Sequence, residues 1–282
     1  MTDPRLFSSI VASTLLGLSF MAGPVLGQDA REWEPEKCPR FVASIPNVIP
    51  ASYRVLVQAE ESTVRLTYIG HSTFLIESPA GVTIATDYND TARPSIVPEI
   101  VTMNRAHSSH FTFYPDPDVV HVLRGWGEDG VPARHELTVR DVWIRNVTTN
   151  IRGGFGTSMT IQRDMNSMFV FEVAGLCIAH LGHLHHPLTP DHLKALGRID
   201  VVLAPVDGSM TLNVDDMIEV LGDIQAPLVI PMHYFGQSTL AHFISRLEEH
   251  YAVEMSDAPT VTLSRSTLPR RQTVLVVPPR FY

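Results

Sequence analysis

The chain has 282 residues, 44% hydrophobic and 18% charged, the balance of an ordinary soluble globular protein. Its formal net charge is −9, and no basic run interrupts the acidic excess. Nucleic acid is therefore not an expected partner, because phosphate binding needs clustered Lys and Arg.

The N-terminus carries a processing pattern. Arg5, offset by Asp3, precedes the mostly apolar stretch Leu6 to Met21, and Pro24-Val25-Leu26-Gly27 then leads to the polar Gln28-Asp29. Val25 and Gly27 stand at the two positions a signal peptidase reads, so residues 1–27 are expected to be a cleaved export signal. A membrane anchor is the competing reading, but the run is short and broken by serines and glycine. The mature protein is then expected to be periplasmic or secreted, with no stable membrane span. Two cysteines, Cys38 and Cys177, are too few for a disulfide framework. An exported protein could pair the two, but Cys177 lies in an apolar run and reads as a buried free thiol.

Residues 28–52 are rich in Pro, Glu and Arg and read as an irregular lead-in to one domain spanning 53–282. Val64 to Tyr68, Thr73 to Glu77 and Val82 to Thr86 are β-rich, with Ser78-Pro79-Ala80-Gly81 as the turn between the last two. Glu99 to Met103, Val119 to Leu123, Leu137 to Val139 and Val142 to Val147 follow as strands. Met168 to Val173 and Leu176 to His180 flank Ala174-Gly175, a second hairpin signal.

The second half changes rhythm. Thr189-Pro190-Asp191 predicts a helix through Leu196, capped by Thr189 with proline at its first position. Ile199 to Pro205 reads as a buried strand, and Asn213 caps a helix through Leu221. Leu228 to Met232 returns to strand, Ser238 to His250 is helical, and Ala252 to Met255, Thr260 to Leu263 and Thr273 to Val277 close the chain as strands. A β-rich half followed by β-α-β-α units predicts an α/β sandwich with helices outside two packed sheets.

Histidine placement carries the chemistry. Seven of thirteen histidines fall in Arg105-Ala106-His107-Ser108-Ser109-His110, in His180-Leu181-Gly182-His183-Leu184-His185-His186, and in Pro231-Met232-His233-Tyr234. Each segment sits where an apolar strand-like run ends, so the side chains can meet on one rim of a sheet. Neutral imidazole binds metal without first losing a proton, and the pattern points to a metal site.

Ile69-Gly70-His71-Ser72-Thr73-Phe74-Leu75-Ile76-Glu77, Thr86-Asp87, His180-Leu181-Gly182 and Ile230-Pro231-Met232-His233-Tyr234 resemble, in order, motifs of the metallo-β-lactamase superfamily. The resemblance covers roughly residues 63–235 and is nearest to the branch of the phosphorylated-ascorbate lactonase and the N-acyl-phosphatidylethanolamine phospholipase D. It implies a four-layer αβ/βα sandwich and a dinuclear site built on an Asp, an H-x-H-x-D-H loop, a mid-chain His, a bridging Asp and a late His. Asp87 matches the first and His233 the last. The loop motif aligns with Arg105 to His110, leaving His107 and His110, with Arg105 at a ligand position and Ser109 in place of the aspartate. The mid-chain His falls at Asn150, and the bridging Asp at His183.

The expected metal ligands are thus His107, His110, His183 and His233, with His185 able to share a target with His183 two residues away. Such a set suits Zn(II), one or two ions, with Fe(II), Cu(II) or Ni(II) as alternatives. Zinc lowers the pKa of bound water to about 7, giving a nucleophile for an ester, lactone or phosphodiester of a small-molecule substrate. Asp87 is expected either to orient a ligand imidazole or to take a proton, against the plainer reading of a turn residue. Arg105 is expected to clamp a substrate carboxylate or phosphate, or else to neutralise Asp87. His71 stands evenly between packing and a supporting role; His180 and His186 read as structural, and Asp207 as a turn residue. The competing class is a non-enzymatic protein that keeps the fold and holds a metal or a small ligand.

Overall fold

Strands buried on both faces read as continuous apolar runs, and this chain has three of them side by side. In a computed structural model of the protein, residues 62–153, 160–248 and 250–280 are described, all within the unit Pro35–Tyr282. The expected export signal and lead-in lie outside them.

In chain order the strands of the first half are β1 (Val64–Gly70), β2 (Thr73–Glu77), β3 (Thr83–Ala85), β4 (Ile100–Met103), β5 (His121–Arg124), β6 (Glu136–Val139), β7 (Val142–Gly153), β8 (Thr160–Val173) and β9 (Leu176–His180). Then come α1 (Pro190–Leu196), β10 (Val201–Pro205), α2 (Val214–Ile224), β11 (Leu228–Met232), α3 (Gln237–Leu247), β12 (Ala252–Met255), β13 (Thr260–Leu263) and β14 (Thr273–Val276). One sheet has the order β13-β1-β2-β3-β4-β5, the other β12-β14-β11-β10-β9-β8-β7-β6.

Period-two alternation sorts the side chains into two cores. Leu176, Ile178, Val201, Leu203, Leu228 and Ile230 face Leu66, Phe74, Ile76 and Ile84 of the other sheet. The intervening Cys177, Ala179, Val202, Ala204 and Val229 pack with Met217, Val220, Leu221, Leu240 and Phe243 of α2 and α3. The α/β sandwich is thus as expected. All three helices of the described residues belong with the larger sheet; on the smaller one, Ala85, Val101 and Met103 are covered by Tyr88, Phe111 and Trp126.

Local signals explain the helix starts. Thr189 Oγ1 accepts from His192 N at 3.3 Å while the His192 ring takes Thr189 N at 3.1 Å, a capping box with histidine in the glutamate's place. Asn213 Oδ1 accepts from Asp216 N at 3.0 Å to open α2, which runs to Ile224 and ends in left-handed Gln225 rather than stopping at Leu221. α3 ends at Leu247, short of His250, where its apolar face runs out.

Two expectations need correcting. β7 and β8 form a long ribbon, 12 and 14 residues, where short strands ending at Val147 and beginning at Met168 were expected. Its polar outer half, paired through Thr149–Asn166 and Ile151–Gln162, lacks the apolar alternation that marks a strand. Cys177 is disulfide-bonded, not a free thiol. An apolar setting does not distinguish the two states, and the other cysteine, Cys38, lies outside the described residues.

Candidate metal centre

Parallel pairing puts several strand ends on one edge. β3 and β4 run parallel in one sheet, and β9, β10 and β11 run parallel in the other. Asp87 follows β3, His107 and His110 follow β4, His183 follows β9, Asp207 follows β10 and His233 follows β11. Loops beyond the carboxyl ends of parallel strands are where α/β folds place ligands.

These loops bring four histidines together. His107, His110, His183 and His233 each offer a ring nitrogen, all within 4.8 Å of one another. His107 Nε2 stands 2.9 Å from His183 Nε2, and His110 Nε2 stands 3.2 Å from His233 Nε2. A tetrahedral ion with bonds of 2.0–2.1 Å holds its nitrogens about 3.3 Å apart, and these two pairs already have that scale. Burial is the main cause holding the imidazoles of His107, His110 and His183 below their ordinary pKa, leaving neutral rings with lone pairs to offer.

What lies behind the rings sharpens the fit. His110 Nδ1 faces Asp87 Oδ2 at 2.6 Å, and Ser72 Oγ at 3.0 Å. His233 Nδ1 lies 3.1 Å from Asp207 Oδ1, near but out of line for a hydrogen bond. With those carboxylates ionised, the Nδ1 protons point outward and both Nε2 lone pairs inward. Two lone pairs 3.2 Å apart repel unless positive charge sits between them. Asp207 is held well below the carboxylate range by His233, Thr211 and Ser209, whose effect outweighs the upward push of burial. Burial pushes Asp87 upward, and a cation at the centre opposes that push. The residues present fit a divalent cation.

The remaining expected residues fall in different places. His185 is outside the cluster: its Nε2 meets His183 Nδ1, and its Nδ1 accepts from Arg152 N at 2.6 Å. In the folded loop it therefore backs His183 instead of joining it. Arg105 does not reach Asp87, whose partners are His110 and Asn104 Nδ2 at 2.9 Å. Its guanidinium sits over Phe111, Phe113 and Trp126, 4.8, 5.3 and 5.6 Å from the ring centres. Asn150, at the family's mid-chain position, lies on β7 with its N–H on His186 Nε2 at 3.1 Å. His180 donates to Ser72 O at 2.8 Å, and His186 Nδ1 to Pro187 O at 2.8 Å; both hold loops. His71 Nε2 and His107 Nδ1 share Ser109 Oγ at 2.8 and 2.7 Å, so the serine that replaces an aspartate links two rings.

Several supporting residues carried no sequence signal. Asn104 Oδ1 accepts from Ser167 N at 2.7 Å while its amide holds Asp87, and Asn166 Oδ1 accepts from His183 N at 2.7 Å. Asp207 accepts from Ser209, Met210 and Thr211 N–H groups and so does form a turn, but the same carboxylate also addresses His233. A rare backbone shape is the one available mark: His71, Asp87 and His233 have φ of 55°, 41° and 55°. Left-handed non-glycine residues cost of order 1–3 kcal/mol each and cluster at functional sites. His233 N–H donates to His71 O at 2.7 Å, locking two of the three together.

The profile of the Beta-lactamase superfamily domain matches residues 65–233. A UPF0173 metal-dependent hydrolase of Methanospirillum hungatei is 23% identical over 194 residues, covering 61% of this chain and 83% of that protein. Its counterpart in Methanoculleus marisnigri is 26% identical over 192 residues, covering 61% and 81%. Among solved structures, a proposed Zn-dependent hydrolase of the metallo-β-lactamase superfamily from Thermotoga maritima aligns with a TM-score of 0.55 at 28% identity, covering 76% of this chain and 98% of that one. A metallo hydrolase from Ignicoccus hospitalis shares the fold, with a TM-score of 0.53 at 18% identity and coverage of 72% and 99%. The chain belongs to the metallo-β-lactamase superfamily.

Proposed function

We propose that the protein is an exported, zinc-dependent hydrolase of an ester, lactone or phosphodiester. That it is a metal-dependent hydrolase is supported by its family and by relatives of that name. The single observation that carries the site is the convergence of His107, His110, His183 and His233. Bound there, a divalent cation supplies Lewis acidity toward a carbonyl or phosphoryl oxygen and makes water easier to deprotonate.

The chain's own residues hold and orient. Asp87 holds the ring of His110 from behind, Asp207 stands behind that of His233, His185 contacts His183, and Ser109 contacts His107. Among the described residues no carboxylate joins the four nitrogens in the metal-holding group. An all-imidazole set adds no ligand charge of its own to the cation, which favours an anionic transition state. Export is supported by the pattern at residues 1–27 and by the disulfide at Cys177, a bond that persists in oxidising compartments.

The test is metal analysis of protein purified without added salts, paired with a panel of ester, lactone and phosphodiester substrates. Near-stoichiometric zinc, with both occupancy and turnover lost in His233→Ala and His110→Ala, is the expected result. Unchanged occupancy in His233→Ala removes that ring from the ligand set. For export, the N-terminus of protein recovered outside the cytoplasm is expected to begin at Gln28; recovery of the intact Met1 end sinks that part.

A further inference from the structure

Beside the metal centre lies a cleft of about 430 Å³, lined among others by Arg105, Thr112, Phe113, Arg124, Trp126 and Glu128. It opens at the carboxyl ends of β4 and β5, the edge from which His107 and His110 also hang. Its walls are tied to β8, where Arg105 N meets Met165 O at 3.1 Å and Gly127 N meets Asp164 O at 2.7 Å. Two guanidinium groups line this cleft, and among the described residues neither forms an ion pair or a side-chain hydrogen bond.

The chain has other arginines without a carboxylate among the described residues, Arg134, Arg163, Arg270 and Arg271, but Arg105 and Arg124 line one cleft together. The chain's net charge is −9, and Arg65, Arg93, Arg140, Arg198 and Arg246 each find a carboxylate. Glu128 lines the cleft but stays beyond ion-pair distance of both arginines. The three aromatic faces around Arg105 fix its plane by cation–π contact, which leaves its N–H edges available. A planar donor fork held still beside a second cation matches a carboxylate or phosphate oxyanion.

We propose that this cleft is an oxyanion-binding subsite, holding a carboxylate or phosphate group of the substrate away from the bond that is cut. As a substrate subsite it rests on the hydrolase reading above; as an anion site it stands on the cleft alone. Arg105 precedes His107 by two residues, and an extended chain covers at most about 7 Å in that span. The two backbones are therefore neighbours, and a substrate that spans their side chains engages both places. Arg105 is then a substrate-binding residue and not a partner of Asp87.

The experiment is titration calorimetry of the metal-loaded protein with phenyl phosphate and with benzoate, using benzyl alcohol as the uncharged control. At least one anion is expected to bind, more weakly at high salt, and to lose about tenfold or more affinity in Arg124→Gln and in Arg105→Gln. Comparing the two probes tells phosphate from carboxylate. Arg124 is exposed, so its variant tests the site even if Arg105→Gln disturbs the loop. Binding that survives both variants but vanishes on stripping the metal overturns the proposal and makes the cation itself the anion site. Equal binding of benzyl alcohol, or no binding of either anion, also overturns it. Arginine-dependent binding without turnover on any substrate supports the site and sinks the hydrolase reading.

Discussion

At the scale of single residues, the converging histidines and the groups behind them differ in how openly they announce themselves. Histidine is scarce enough that seven in three short segments stand out, and the four that converge were singled out by the family resemblance. His185 shows the limit of spacing: an i, i+2 pair shares a side only while the chain stays extended, and here it folds back onto His183. Asp207 was legible as a turn former, but its approach to His233 depends on β10 and β11 lying side by side, which local sequence does not state. We expect Asp207→Asn and Asp87→Asn each to weaken metal affinity by about 10- to 100-fold while leaving the fold intact, because carboxylates behind ligand histidines fix tautomer and raise basicity. Competition against a chelator of known affinity reads this directly. Parent-like affinity in both variants denies the carboxylates an orienting role.

At the scale of elements, strands and helices with buried faces were readable because burial imposes a period. The β9–β11 block was found close to its true bounds as continuous apolar runs, and the starts of α1 and α2 by their caps Thr189 and Asn213. The outer β7–β8 ribbon was not, since polar residues such as Thr149 and Asn166 leave no apolar period to read even where they are buried. The turn after β9 tests how tightly an element end is tied to the site. Gly182 has φ of 61°, and a Cβ there meets Asn166 Oδ1 at 2.4 Å and Asn104 Nδ2 at 2.5 Å. Those amides hold His183 N and Asp87. Gly182→Ala is expected to lower stability by roughly 2–4 kcal/mol through backbone strain and overpacking, and to lower metal affinity with it. Denaturant melts of the metal-free and loaded protein measure both, and an unchanged midpoint means the amides swing aside without cost.

At the scale of the whole molecule, burial of so many imidazoles sets a response to acid. Burial, with help from neighbouring positive groups, lowers His71 and His185 to about 4, and His107, His110, His180 and His183 shift in the same direction. A histidine whose folded pKa lies below its unfolded value of 6.5 takes up its proton first in the unfolded chain. Its contribution to stability is present above 6.5 and is lost as pH falls toward 4. Asp87, raised by burial, acts in the opposite sense but is one group against these six and the likewise lowered His192. Metal-stripped protein is accordingly expected to melt at steadily lower temperature between pH 6.5 and 4, as followed by calorimetry. A flat melting temperature across that window contradicts the burial of neutral rings.

His107 and His110 hang from the smaller sheet, while His183 and His233 hang from the larger. An ion seated among them acts as a rivet through the seam, and its binding energy becomes resistance to the layers parting. At a hundredfold excess over its dissociation constant such an ion adds about 2.7 kcal/mol. Scavenging it from the surroundings would slacken the sandwich at that rim first, so supply of the ion would govern how long each copy endures.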